Sequence, residues 1–126
     1  MSGRCVLVPG AAICAVKSSL ATAPCRRDAH QGLKVAAFGA QNISNCARVV
    51  ERGEVGSSHC FQALAARGVP HLRMNPVMLK PERDNHSQLV LMGRVVAPPT
   101  LDSVFDGLAD FAEMHFLPGV LASLVA

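Results

Sequence analysis

Two short apolar runs, each leading through a loop into a helical pattern, most constrain what this chain can fold into. Val6-Leu7-Val8 is stopped by Pro9-Gly10, and residues 17–31 read as a helix that Pro24 interrupts and Gly32 ends. Leu33 to Phe38 forms the second run. Residues 39–54, rich in Asn, Gly and Ser, then form a loop, and a helix is predicted over Val55–Arg67, closed by Gly68. An apolar run without polar alternation fits a strand buried on both faces. The order strand–loop–helix, repeated once, predicts an α/β fold with parallel strands joined by helical crossovers.

Beyond the second helix, Met74–Leu79 and Gln88–Val96 are extended candidates separated by a polar loop. Ala97-Pro98-Pro99 marks a boundary, dividing the chain into residues 1–96 and a tail, 97–126. Thr100 can cap a tail helix over Leu101–His115, whose apolar residues follow helical spacing, and Val120–Val125 is a candidate last strand.

Composition narrows the function. At 126 residues, half of them hydrophobic and 17% charged, the chain suits one folded domain with a core that needs neither disulfides nor metals. With no Trp or Tyr, that core is aliphatic. The net charge of +3 is mild and no basic stripe with interleaved aromatics appears, which argues against a nucleic-acid surface. The five cysteines include no C-x-x-C pair, as expected of reduced thiols in a cytoplasmic protein. Arg4, the apolar run Cys5–Val16 and Ala21-Thr22-Ala23 imitate a secretion signal, but Pro9-Gly10 breaks the run and Lys17 follows it. No stretch of 18 apolar residues predicts a membrane span.

Gly10 to Ser18 reads GAAICAVKS and lies between a predicted strand and a predicted helix. A phosphate loop at such a place needs glycines that let backbone N–H groups curl around phosphate oxygens. A lysine then neutralises charge, and a hydroxyl ligates magnesium. Lys17 and Ser18 are present, whereas Val16 stands where a left-handed loop wants glycine. The alternative is a plain strand-to-helix turn. Gln41 and Asn42 follow the second predicted strand, at the edge where α/β sheets place ligands. Glu54 heads the next helix, as a magnesium ligand with Ser18 or as a favourable charge at a helix start.

Three blocks carry a family resemblance. Met74-Asn75-Pro76-Val77, Leu79-Lys80-Pro81, Asp84, Ser87-Gln88 and Gly93 form the densest; Val35 to Ala47 reads VAAFGAQNISNCA; Gly53 to Ala63 reads GEVGSSHCFQA. In order and spacing they are similar to the ATP-dependent synthetase domain of cobyric acid synthase, over roughly residues 3–96. The corresponding family patterns are VAPFKAQNMSNNA and GEIGRAQALQA. The resemblance implies a partial P-loop-type parallel sheet flanked by helices. It implies ATP and Mg2+ as cofactors, held by Gly10, Lys17, Ser18 and Glu54. It also implies a corrinoid substrate met by Gln41, Asn42, Asn75 and Lys80, although a solvated lysine is the ordinary reading of Lys80.

The departures shape a further expectation. The loop pattern GTTSDAGKS has lost its polar positions and its glycine before the lysine, the lysine expected at position 39 is Gly39, and Arg-Ala-Gln has become Ser57-Ser58-His59. Neither the family's E-G-A-G-S motif nor its C-terminal glutaminase domain is present. The expectation is a truncated, diverged protein with a degenerate ATP site, catalytically impaired, self-associating or pairing with a full-length homologue. The alternatives are a non-catalytic interaction module and a decayed gene product.

Overall fold

The computed structural model describes residues 4–9, 16–83 and 86–96; Gly10, Asp84 and the expected tail elements lie outside them. Helix α1 spans Lys17–His30. Three short strands follow, β1 (Gln41–Ile43), β2 (Ala47–Val50) and β3 (Gly53–Gly56), and then helix α2 (Ser57–Ala65). A single 3-10 turn, Leu72–Met74, leads into β4 (Val77–Arg83), β5 (His86–Leu91) and β6 (Arg94–Val96).

Both helices stop where their sequences supply a closing geometry. After α1, Gly32 takes φ +83°, Leu33 N–H donates to Asp28 O at 3.0 Å and Gly32 N–H to Ala29 O at 3.2 Å. This is the paired closure that a left-handed residue allows. α2 closes in the same way through Gly68 N–H to Ala63 O, 2.9 Å, and Arg67 N–H to Leu64 O, 3.0 Å. There, however, Arg67 takes the left-handed conformation at φ 57°, and the predicted stop residue Gly68 sits one position later. Pro24 lies inside α1 without ending it.

The sheet is mixed rather than parallel. Its order is β1-β4-β5-β6, with β1 and β4 parallel and every other neighbouring pair antiparallel. β2 and β3 form a separate antiparallel hairpin inside the stretch expected to be a loop. Val6-Leu7-Val8 and Leu33–Phe38, expected as buried parallel strands, join neither sheet among the described residues, and Leu7 is 84% exposed. A strand is a relation between segments: apolar composition makes an extended run ready to pair but cannot supply its neighbour. The parallel pairing instead begins three residues beyond Phe38, after Gly39 N–H donates to Met74 O at 2.9 Å.

Small side chains let the layers approach closely. Cys25, Ala37 and Ala66 form a buried cluster backed by Val35 and Ala65, and Gln62 Nε2 on α2 donates to Ser18 O in the first turn of α1. Val55, Ala63, Val77, Met78 and Val90 are the most deeply buried apolar residues. The β5–β6 turn uses two left-handed residues, Met92 (φ 47°) and Gly93 (φ 79°), which match the natural twist of a two-residue hairpin. Glu54 N–H donates to Gly93 O at 2.9 Å and so ties the small hairpin to the sheet.

Candidate functional site

Asn75 is the best anchored of the predicted site residues. It is 1% exposed, and its Oδ1 accepts from Gly56 N–H while its Nδ2 donates to Gly39 O and Val77 O, all at 3.1 Å. One side chain thereby joins the loop after residue 38, the end of β3 and the start of β4. Burying an amide is tolerable only when its polar atoms are paired, and this one is. Asn42 belongs to the same cluster: a Cβ added to Gly56 would run into Asn42 Nδ2 and lie 3.0 Å from Asn75 Oδ1. Gln41, one residue earlier on β1, pairs in register with Val77 but is exposed.

Glu54 and Lys80 are brought together from β3 and β4. Lys80 Nζ donates to Glu54 Oε2 at 2.8 Å, and both side chains are partly shielded from solvent. Each residue had been expected to meet a ligand, Glu54 a magnesium ion and Lys80 an anionic substrate; in this structure they neutralise each other. No hydrogen bond or ion pair among the described residues joins Glu54 to Ser18. Nor do three or more His, Cys, Asp or Glu gather into a possible metal cluster among them.

The start of α1 is left without a side-chain cap. Val16 takes the left-handed conformation (φ 54°, ψ 23°), and no acidic residue lies in the first turn of the helix. Uncapped N–H groups and the positive end of the helix dipole favour a negative partner. Lys17 and Ser18 stand there exposed. A β-branched residue at positive φ carries strain of about 1–3 kcal/mol.

His59 is the residue that sequence reasoning missed. It lies in α2, 8% exposed, with Nδ1 buried and unpartnered. Burial first, and the Lys17 ammonium second, lower its pKa from 6.5 to about 4, so the ring is neutral near pH 7. The ring packs onto Gly39, where a Cβ would collide with Nε2 and sit 2.8 Å from Cε1. The signal was a pair of departures from the family pattern, at positions 39 and 59. Read separately they were two losses; in space they are one contact. Burial also raises the thiol pKa of Cys25 and Cys60, which keeps both protonated near neutrality.

The same segment is found in much longer proteins. The chain is 63% identical over 100 residues to the cobyric acid synthase of Variovorax paradoxus, a match covering 79% of this chain and 21% of that protein. It is 61% identical over 99 residues to the cobyric acid synthase of Albidiferax ferrireducens (75% and 20%), and 55% identical over 109 residues to that of Acidovorax ebreus (75% and 22%). The chain thus spans about a fifth of the length of the curated relatives it matches. No family model and no solved structure matches it.

Proposed function

Because the chain belongs by sequence to the cobyric acid synthases, of which it matches one segment, we propose that it acts in cobalamin biosynthesis as the nucleotide-facing part of an amidoligase, with impaired catalysis. The parent chemistry is ATP-dependent amidation of corrinoid carboxylates. The carboxylate takes the terminal phosphoryl group of ATP to give an acyl phosphate and ADP, and glutamine-derived ammonia then displaces phosphate.

The observation that carries this reading is the uncapped start of α1, where a left-handed Val16 precedes Lys17 and Ser18. This is the P-loop-type element of the proposal: free N–H groups and an ammonium address phosphate oxygens. Gly10 would complete the loop. Magnesium held by Ser18 and Glu54 requires Glu54 to leave Lys80, and this competition is one source of the impairment. Gln41, Asn42 and Lys80 would border the face on which the corrinoid carboxylate rests, with the buried Asn75 holding that face in place.

Isothermal titration with Mg-ATP tests the binding step. The native chain is expected to bind weakly, Val16→Gly to bind more tightly, and Lys17→Ala to lose the signal. Identical heats in all three would remove the nucleotide reading. With a corrinoid acid substrate, ATP and ammonium, the chain should release no phosphate above background; turnover would overturn the impairment.

A second reading, an interaction module pairing with a full-length homologue or with itself, is favoured by Val6 and Leu7. These are apolar, 73% and 84% exposed, and outside both sheets. A stable monomer at high concentration in light scattering, with no complex on mixing with a full-length relative, argues against it.

A further inference from the structure

We propose that His59 is a specificity-determining residue of the candidate site: its imidazole fills the notch above Gly39, so that positions 39 and 59 act as one unit and a second cation for a polyphosphate can be gained there only when both change. Three observations converge. The three atoms nearest to a Cβ built on Gly39 all belong to the His59 ring, and no other residue supplies one. Gly39 is not at positive φ, so its backbone would tolerate any L-residue, and the imidazole is what opposes a side chain there. The ring has little room to swing aside, because the residue is almost wholly buried.

The chemistry of the notch follows from its occupant. The ring carries no charge near neutral pH, so the corner near Lys17 holds a neutral imidazole, its buried Nδ1 unpartnered, instead of a second cation. A polyphosphate at the start of α1 would meet Lys17 alone from this corner. A lysine on residue 39 would leave the backbone in the space the imidazole now holds, and restoring that cation therefore requires a smaller or more flexible group at 59. The binding consequence rests on the nucleotide reading above; the steric coupling does not.

A double-mutant cycle tests both. In urea unfolding, Gly39→Ala alone should lower the folded-to-unfolded ratio about tenfold or more by overpacking. In the His59→Ala background the same change should be neutral or stabilising. An equal cost in both backgrounds overturns the inference. If Gly39→Ala fails to fold, recovery of a cooperative transition in Gly39→Ala/His59→Ala supports it, and failure of the double variant to recover overturns it. For binding, tripolyphosphate and Mg-ATP are titrated into Gly39→Lys/His59→Gln and into His59→Gln. At least a tenfold gain in the double variant alone supports the specificity role. Coupling in stability without that gain confirms the wedge and overturns its role in ligand choice, whereas the nucleotide reading falls only if Lys17→Ala leaves the native heats of Mg-ATP binding unchanged. The two failures are thus told apart.

Discussion

The cluster around Asn75 and the start of α1 draw on similar residues, small polar groups set among glycines and alanines, yet they end in opposite conditions. Around Asn75 every polar atom of the amide is paired, and the Asn42 and Asn75 side chains come so close to Gly56 that glycine is required. At the start of α1 the helix has no cap, a valine stands in a glycine conformation and a lysine faces the positive end of the dipole. The first region sits in the densest block of family matches and the second in the most altered one. The mutually paired positions match the family pattern, while those at the start of α1 depart from it. A region whose groups satisfy one another makes its own stability depend on them. A region left uncapped does not.

The sharpest way to break this contrast is Asn75→Ala. It removes three hydrogen bonds and leaves Gly56 N–H without its buried partner, which predicts a loss of about 3 kcal/mol in urea unfolding. A loss below about 1 kcal/mol would mean that the cluster is no better anchored than the start of α1.

Acid comes next. His59 takes up a proton near pH 6.5 in the unfolded chain but only near pH 4 in the folded one, so the unfolded state binds more protons between these values. Its stability contribution is therefore complete above pH 6.5 and falls as pH drops toward 4, by up to about 3 kcal/mol. In His59→Gln the unfolding midpoint should lose most of its pH dependence over that window. An unchanged profile would remove His59 as the cause.

Val16→Gly sharpens the comparison from the other side: relief of the left-handed strain predicts a gain of about 1 kcal/mol, read as a higher thermal midpoint. A loss would show that the valine is held by contacts that offset its strain. The smallest effect is expected from Lys80→Ala, below about 1 kcal/mol, because its pairing with Glu54 is partly solvated. Larger destabilisation would place this pair with the Asn75 cluster rather than with groups available to a ligand.

Local features were legible in the sequence and pairings were not. The helix predicted over 17–31 is Lys17–His30, ended by Gly32 as expected, and the one predicted over Val55–Arg67 is Ser57–Ala65. Both rest on stop geometry written within a few residues. Met74–Leu79 and Gln88–Val96 overlap β4, β5 and β6, but β4 runs on to Arg83 and β5 begins at His86 where a polar loop was expected, and the second segment turns at Met92-Gly93. The hairpin of β2 and β3 escaped, since four-residue strands bearing Gly, Glu and Arg have no clear period. Val6-Leu7-Val8 and Leu33–Phe38 have the composition of strands but join neither sheet among the described residues. Among site residues, Asn75 was singled out as a substrate contact; its structural hydrogen bonds, to partners 19 and 36 positions away, were invisible. So was the meeting of Lys80 with Glu54, 26 positions apart.

The contact between Gly53 and Gly93 has a mechanical consequence. A Cβ on Gly53 would stand 2.8 Å from Gly93 O, and one on Gly93 would stand 2.9 Å from Glu54 N, so bare backbone faces bare backbone beside the Glu54–Gly93 hydrogen bond. Sliding the small hairpin by one residue would drive the side chain of Arg52 or Glu54 into the turn. The pair therefore works as a detent, allowing one alignment of hairpin against sheet and jamming its neighbours. Lys80 meets Glu54 because the hairpin that carries Glu54 has nowhere else to rest.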